Sequence, residues 1–177
     1  MQPLEKVSLI VNRTTQTLNL TGSILIIFMA VVINTDVMGR NLFGTPLSGV
    51  PEMVSMSIVA IVFLQVAYAV QQGKLTRSDA LLNKLGSHYP QASLAINILF
   101  NLVACFMAGC LLSASYPFFI KAWDRNSFIG SIGDFTAPVW PIKLIILIGC
   151  FMLLLQFMLS ALLNAHELRL SIRGERT

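Results

Sequence analysis

Charge is scarce in this sequence. Only 11% of its 177 residues are Asp, Glu, Lys or Arg, against 55% hydrophobic residues, and the mean hydropathy is +0.75. Soluble domains carry about a quarter charged residues, and a water-soluble core cannot absorb such an apolar excess. The chain is expected to be an all-α integral membrane protein, a single membrane domain over residues 1–177 with no soluble domain.

Other shortages exclude chemistry. His88 and His166 are the only histidines, so paired axial ligands for a haem held in a helical bundle are missing. The three cysteines, Cys105, Cys110 and Cys150, all lie in apolar runs with no CxxC pair, which argues for small packing residues and against thiol–disulfide catalysis. No nucleophile with a base, and no metal-ligand set, emerges, so neither enzymatic activity nor a cofactor is expected. No Asp or Glu sits in the middle of an apolar run, where a small proton-coupled exporter needs one. Internal repeats and paired broken helices are also absent, which argues against autonomous transport. The formal charge of +4 comes from basic residues scattered over loops and termini, not gathered in a stripe with aromatics, so nucleic acid is not an expected partner.

What is present is a set of long apolar runs. Four spans are expected at about 18–40, 52–71, 92–120 and 141–165. The first follows Lys6 and Arg13, as a signal peptide would, but it ends in Asn-Thr-Asp-Val-Met-Gly-Arg instead of a small-residue cleavage site, so it is expected to remain in the mature protein. Helical pattern continues through Asp36 and Arg40 until Gly44-Thr45-Pro46 breaks it. The second span opens after Pro51 with Glu52 in its first turn, where the helix dipole favours an anion. Pro117 is positioned to kink the third near its end, and Trp123 and Trp140 flank the loop before the fourth, at the level of a membrane interface.

Orientation follows from the basic residues. Lys6, Arg13, Lys74, Arg77, Lys84, Arg169, Arg173 and Arg176 fall on one side, and Arg40, Lys121, Arg125 and Lys143 on the other. Eight against four predicts both termini in the cytoplasm. Between the second and third spans, Thr76 and Asp79 have the spacing of a capping box, and Leu81, Leu82 and Leu85 follow on one face. A short interfacial helix over about 77–86, carrying Arg77 and ended by Gly86, is expected there.

Polar residues in the spans are candidate structural or interface positions. Asp36 and Arg40 are four apart, the spacing of an ion pair on one helix face, and Glu52 starts the next helix on the same side, so the three are expected to cluster and clamp helix one to helix two. Asn97, Asn101, Cys105, Gly109 and Ser113 recur every four residues as a ridge of small and polar side chains, and Gln156, Ser160 and Asn164 repeat the pattern. Such ridges let helices approach and exchange hydrogen bonds in lipid, within one subunit or with another protein. Gln65, mid-span, is expected to bond to a neighbouring helix more readily than to line a pathway.

The stretch from Asp36 to Leu85 resembles the small membrane subunit of tripartite ATP-independent periplasmic (TRAP) transporters, the DctQ type. The resemblance rests on Arg40, Phe43, Gly44, Pro46, Leu47 and Glu52 around the first turn, and on Gly73-Lys74-Leu75-Thr76-Arg77-Ser78-Asp79, which is similar to the glycine and Arg-x-Asp segment of that family without its frequent histidine. It is specific over these residues, while size, span number and inside termini agree along the whole chain. The resemblance implies a bacterial inner-membrane subunit that pairs with a large polytopic membrane subunit, while a periplasmic substrate-binding protein delivers the solute. It further implies uptake driven by an ion gradient, usually sodium, of organic anions such as dicarboxylates or sialic acids. Substrate and ion sites are implied for the large subunit, with the small one as a scaffold in contact with membrane lipids. The alternative is a self-sufficient homo-oligomeric carrier or channel.

Overall fold

A computed structural model describes residues 2–73, 90–131, 133 and 135–173. It has α1 (Gln2–Met38) continuing into a π-helical turn (Gly39–Phe43), then α2 (Val50–Gln71), α3 (Pro90–Asp124), strands β1 (Phe128–Ser131) and β2 (Phe135–Pro138), and α4 (Trp140–Arg173). All four α-helices are long and apolar enough to cross a membrane. The expected interfacial helix over about 77–86, with Arg77 and Asp79, lies outside the described residues.

The helices stand in a row, α1–α2–α4–α3. The extended contacts are α1 with α2, α2 with α4, and α3 with α4; α1 meets α4 only briefly, and α1 has no extended contact with α3. Burial follows this order: 39% of the fourth span is covered and 22% of the second, against 17% of the first and 11% of the third.

Each contact is a seam with a period near 3.5 residues. On α1, Val11, Thr15, Leu18, Gly22, Leu25, Met29, Val32 and Asp36 are buried or half-buried, in steps of four and three that face α2. On α3, Asn101, Cys105, Ala108, Leu112, Ser115, Phe119 and Ala122 form the covered stripe. Alternating steps of three and four keep a stripe straight along two helices crossing at a small angle. The strict four-residue ridge expected on α3 cannot do this, because each step of four overshoots a turn by about 40°. Asn97, Asn101, Cys105 and Gly109 therefore lie at the covered side, while Ser113 has rotated out and is exposed.

Helices and apolar spans are not coextensive. The 22 residues of α2 measure about 33 Å, close to the roughly 30 Å of hydrocarbon, whereas the 37 of α1 measure about 55 Å. Hydropathy marks where lipid can be crossed; the helix runs on through Asn12 to Thr17 because nothing there breaks it. Pro117 likewise lies inside a continuous α3. The helix ends after Asp124 with Asn126 in the left-handed region (φ 45°) and a paired closure, Ser127 N–H to Ala122 C=O at 3.1 Å and Asn126 N–H to Trp123 C=O at 3.3 Å.

Candidate functional site

At the hairpin end of the row, α1 turns into α2 through a loop organised by one carboxylate. Asp36 is 7% exposed, and its Oδ1 accepts the Leu47 N–H at 2.8 Å while Oδ2 accepts Arg40 Nη2 at 3.0 Å. The π-helical turn brings Leu47 back to Asp36: Thr45 N–H reaches the Gly39 carbonyl at 3.3 Å, and Gly44 closes the turn at φ 67°, where glycine is at home. Met38, Leu42, Phe43 and Leu47 are left exposed around it. The expected pairing of Asp36 with Arg40 is present, but Glu52 does not join them. It sits half-buried in the first turn of α2, and among the described residues the only ion pair is Asp36–Arg40. The carboxylate spends its second oxygen on a backbone N–H eleven residues away, so the join between α1 and α2 is a capped loop and not a three-charge cluster.

The segment between α3 and α4, expected to be a loop, is a two-stranded antiparallel hairpin in which Phe128 faces Pro138 and Ser131 faces Phe135. Alternate residues point to opposite faces. Phe135 packs onto Gly49, where any Cβ would collide with its ring and where φ is 79°. Phe128, Thr136 and Pro138 lie on the other face and, with Asn126 and Ala137, line an open groove of about 420 Å³. At the hairpin base, Trp123 and Trp140 meet edge to face with centroids 5.0 Å apart, and Val139 N–H bonds the Ser127 carbonyl at 3.0 Å. The two tryptophans that flank this segment thus form one contact between α3 and α4. The sequence hints were the glycines at 130 and 133 between Phe128 and Phe135, a turn signal between β-prone residues.

Along the row, several polar side chains bond to neighbouring helices or to their own backbone. Gln65 Nε2 donates to Ser23 Oγ at 3.4 Å and lies against Gly22, as the helix-bonding reading of this amide expects. Thr15, fully buried, donates to Gln71 Oε1. Asn34 and Thr35, on the exposed side of α1, bond the carbonyls of Ala30 and Val31 at 2.7 and 2.8 Å. Asn101 is fully buried on α3, and a Cβ on Gly109 would come within 3.6 Å of Leu154 in ordinary contact. One close approach between helices was not singled out from sequence: Gly149 of α4 lies against the backbone carbonyl of Phe63 of α2, with no room for a side chain. No group of three His, Cys, Asp or Glu suited to a metal ion occurs among the described residues.

The arrangement provides tight helix seams, a capped turn and a clamped hairpin on four helices long and apolar enough to cross a membrane. A family model described as "Tripartite ATP-independent periplasmic transporters, DctQ component" matches residues 29–167. No curated protein and no solved structure matches the chain. The matched stretch takes in the Asp36 turn, the hairpin and all of α2 and α3, and this is a family of transporter components, not of enzymes. The chain belongs to the DctQ component of the tripartite ATP-independent periplasmic transporters.

Proposed function

We propose that the chain is a scaffolding permease subunit. It lies in the bacterial inner membrane with both termini in the cytoplasm and extends and steadies a large polytopic membrane subunit. That subunit takes up an organic anion, delivered by a periplasmic substrate-binding protein, in transport driven by an ion gradient, usually of sodium in such systems. The observation that carries this reading is the open row. Gln65, Thr15 and Asp36 are committed to internal ties, and α1 and α3 stand at the two ends with little of their surface covered. A carrier working alone needs polar groups held free along a path; a scaffold needs stiffness and uncovered apolar surface. Membership of a tripartite transporter family supports the same partners.

The test is to tag the chain, extract it from its native membrane in mild detergent, and identify what co-purifies in fixed ratio by mass spectrometry. A large polytopic subunit is the expected companion. A homo-oligomer that transports solute unaided in liposomes would overturn the scaffold reading.

A further inference from the structure

Gln156 lies in the most covered helix, is 5% exposed, and its Oε1 meets no hydrogen-bond donor among the described residues. Its place in the fold is set by the stripe it belongs to. Gly149, Met152, Gln156 and Leu159 follow one another at steps of three and four: Gly149 abuts Phe63 of α2, and Met152 and Leu159 pack with Ala67 of α2 and Val11 of α1. Helices α2 and α4 run in the same direction. Seven residues beyond the Gly149–Phe63 contact, Gln156 therefore stands level with Val70 and Gln71, and its neighbour Phe157 packs on Val70. Helix α1 reaches the same level through Thr15, which donates to Gln71 Oε1. One turn back along α1, Asn12 Oδ1 is also buried with no donor among the described residues.

Three helices thus bring amide oxygens to one junction, near the end of the row that carries the termini. Gln71 Oε1 shares the single Thr15 hydroxyl proton with the Val11 and Asn12 carbonyls, 3.1 and 2.9 Å from that hydroxyl, and Gln156 Oε1 and Asn12 Oδ1 have no lone pair engaged among the described residues. All are acceptors, so whatever completes them must be small and must donate. We propose that an ordered water molecule is bound at the α1–α2–α4 junction, donating one proton to Gln156 Oε1 and the other to the second lone pair of Gln71 Oε1, with Asn12 at its edge. Buried water sites are polar pockets offering several such partners. A cation fits less well, because the oxygens gathered at the junction are neutral amide oxygens with no carboxylate among them, and unpaired buried charge is far costlier than a neutral donor. The bound water does at this end what the Asp36 cap and the Phe135–Gly49 contact do at the hairpin end: it holds neighbouring helices in register.

The experiment is a double-mutant cycle on the full chain in nanodiscs, with Gln156→Met, Gln71→Met and both together, read as thermal midpoint. A shared water predicts that each single change lowers the midpoint and that the pair lowers it by less than the sum. Additive losses, or a midpoint raised by Gln156→Met, would overturn the proposal. Midpoints should be the same in sodium, potassium and choline; a sodium-specific rise would assign the junction to a cation instead. Should either variant fail to fold, the wild-type chain decides: a water cross-peak to the Gln156 side-chain amide in nuclear magnetic resonance is expected, and its absence counts against the site.

Discussion

Removing the Asp36 carboxylate should cost more than removing the cation paired with it. In Asp36→Ala the Leu47 N–H loses an ionised acceptor 2.8 Å away, a bond worth about 1.5–3 kcal/mol. The ion pair adds little, because the Arg40 side chain is 61% exposed and such i,i+4 pairs contribute about 0.3–0.5 kcal/mol. The loss for Asp36→Ala is therefore about 2–3.5 kcal/mol. Asp36→Asn keeps a carbonyl oxygen for Leu47 and forfeits only the charge, so about 1 kcal/mol is expected, from the difference between neutral and charge-assisted bonds. Arg40→Gln should cost about 0.5 kcal/mol or less. The assay is the thermal midpoint of the full chain in nanodiscs, together with protease cleavage across residues 44–48, which should rise as the cap is lost. Equal losses for Arg40→Gln and Asp36→Ala would refute the reasoning, since the ion pair and not the backbone cap would then hold the turn.

Gly149→Leu should separate α2 from α4 and cost about 1–3 kcal/mol of stability, read as a lower thermal midpoint, because the obstacle is the Phe63 backbone and cannot rotate away. Gly49→Ala should cost at least about 1 kcal/mol for its left-handed backbone alone. Combining it with Phe135→Ala should recover only the ring collision, which a double-mutant cycle separates from the backbone strain. Gln65→Leu exchanges one long bond to Ser23 for apolar contact and is expected to change stability by under about 1 kcal/mol and to leave uptake by the intact transporter unchanged. Abolished uptake with normal complex yield would return Gln65 to the pathway candidates. Glu52→Lys loses only a helix-dipole term of about 0.3–1 kcal/mol, so the fold should survive. A fall in complex yield would then report contact with the partner, and wild-type yield and uptake would count against an interface role.

The strong one-dimensional signals were legible in the chain as written. Apolar run length yields the number of membrane-capable helices, because the backbone must satisfy itself within each helix in lipid. Gly44-Thr45-Pro46 marks the first break, and the four-residue spacing of Asp36 and Arg40 yields their pair, because these are local chemistry. Gln65 was readable as a helix-bonding amide since an isolated polar group in lipid seeks a neighbour.

Tertiary structure decided which residues far apart in sequence share a surface. The acceptor role of Asp36 toward Leu47 depends on a π-helical turn that no spacing rule requires. Glu52 keeps its helix-start position, yet the loop geometry withholds it from Arg40. The ridge on α3 had its composition right and its direction wrong beyond Gly109, because a fixed step of four drifts around a helix while a real seam alternates three and four. Gly49 and Gly149 look like any other glycines until Phe135 and the Phe63 carbonyl arrive against them. Composition and periodicity state what each segment must bury and where a helix can run; only packing, which depends on register between helices, states against what.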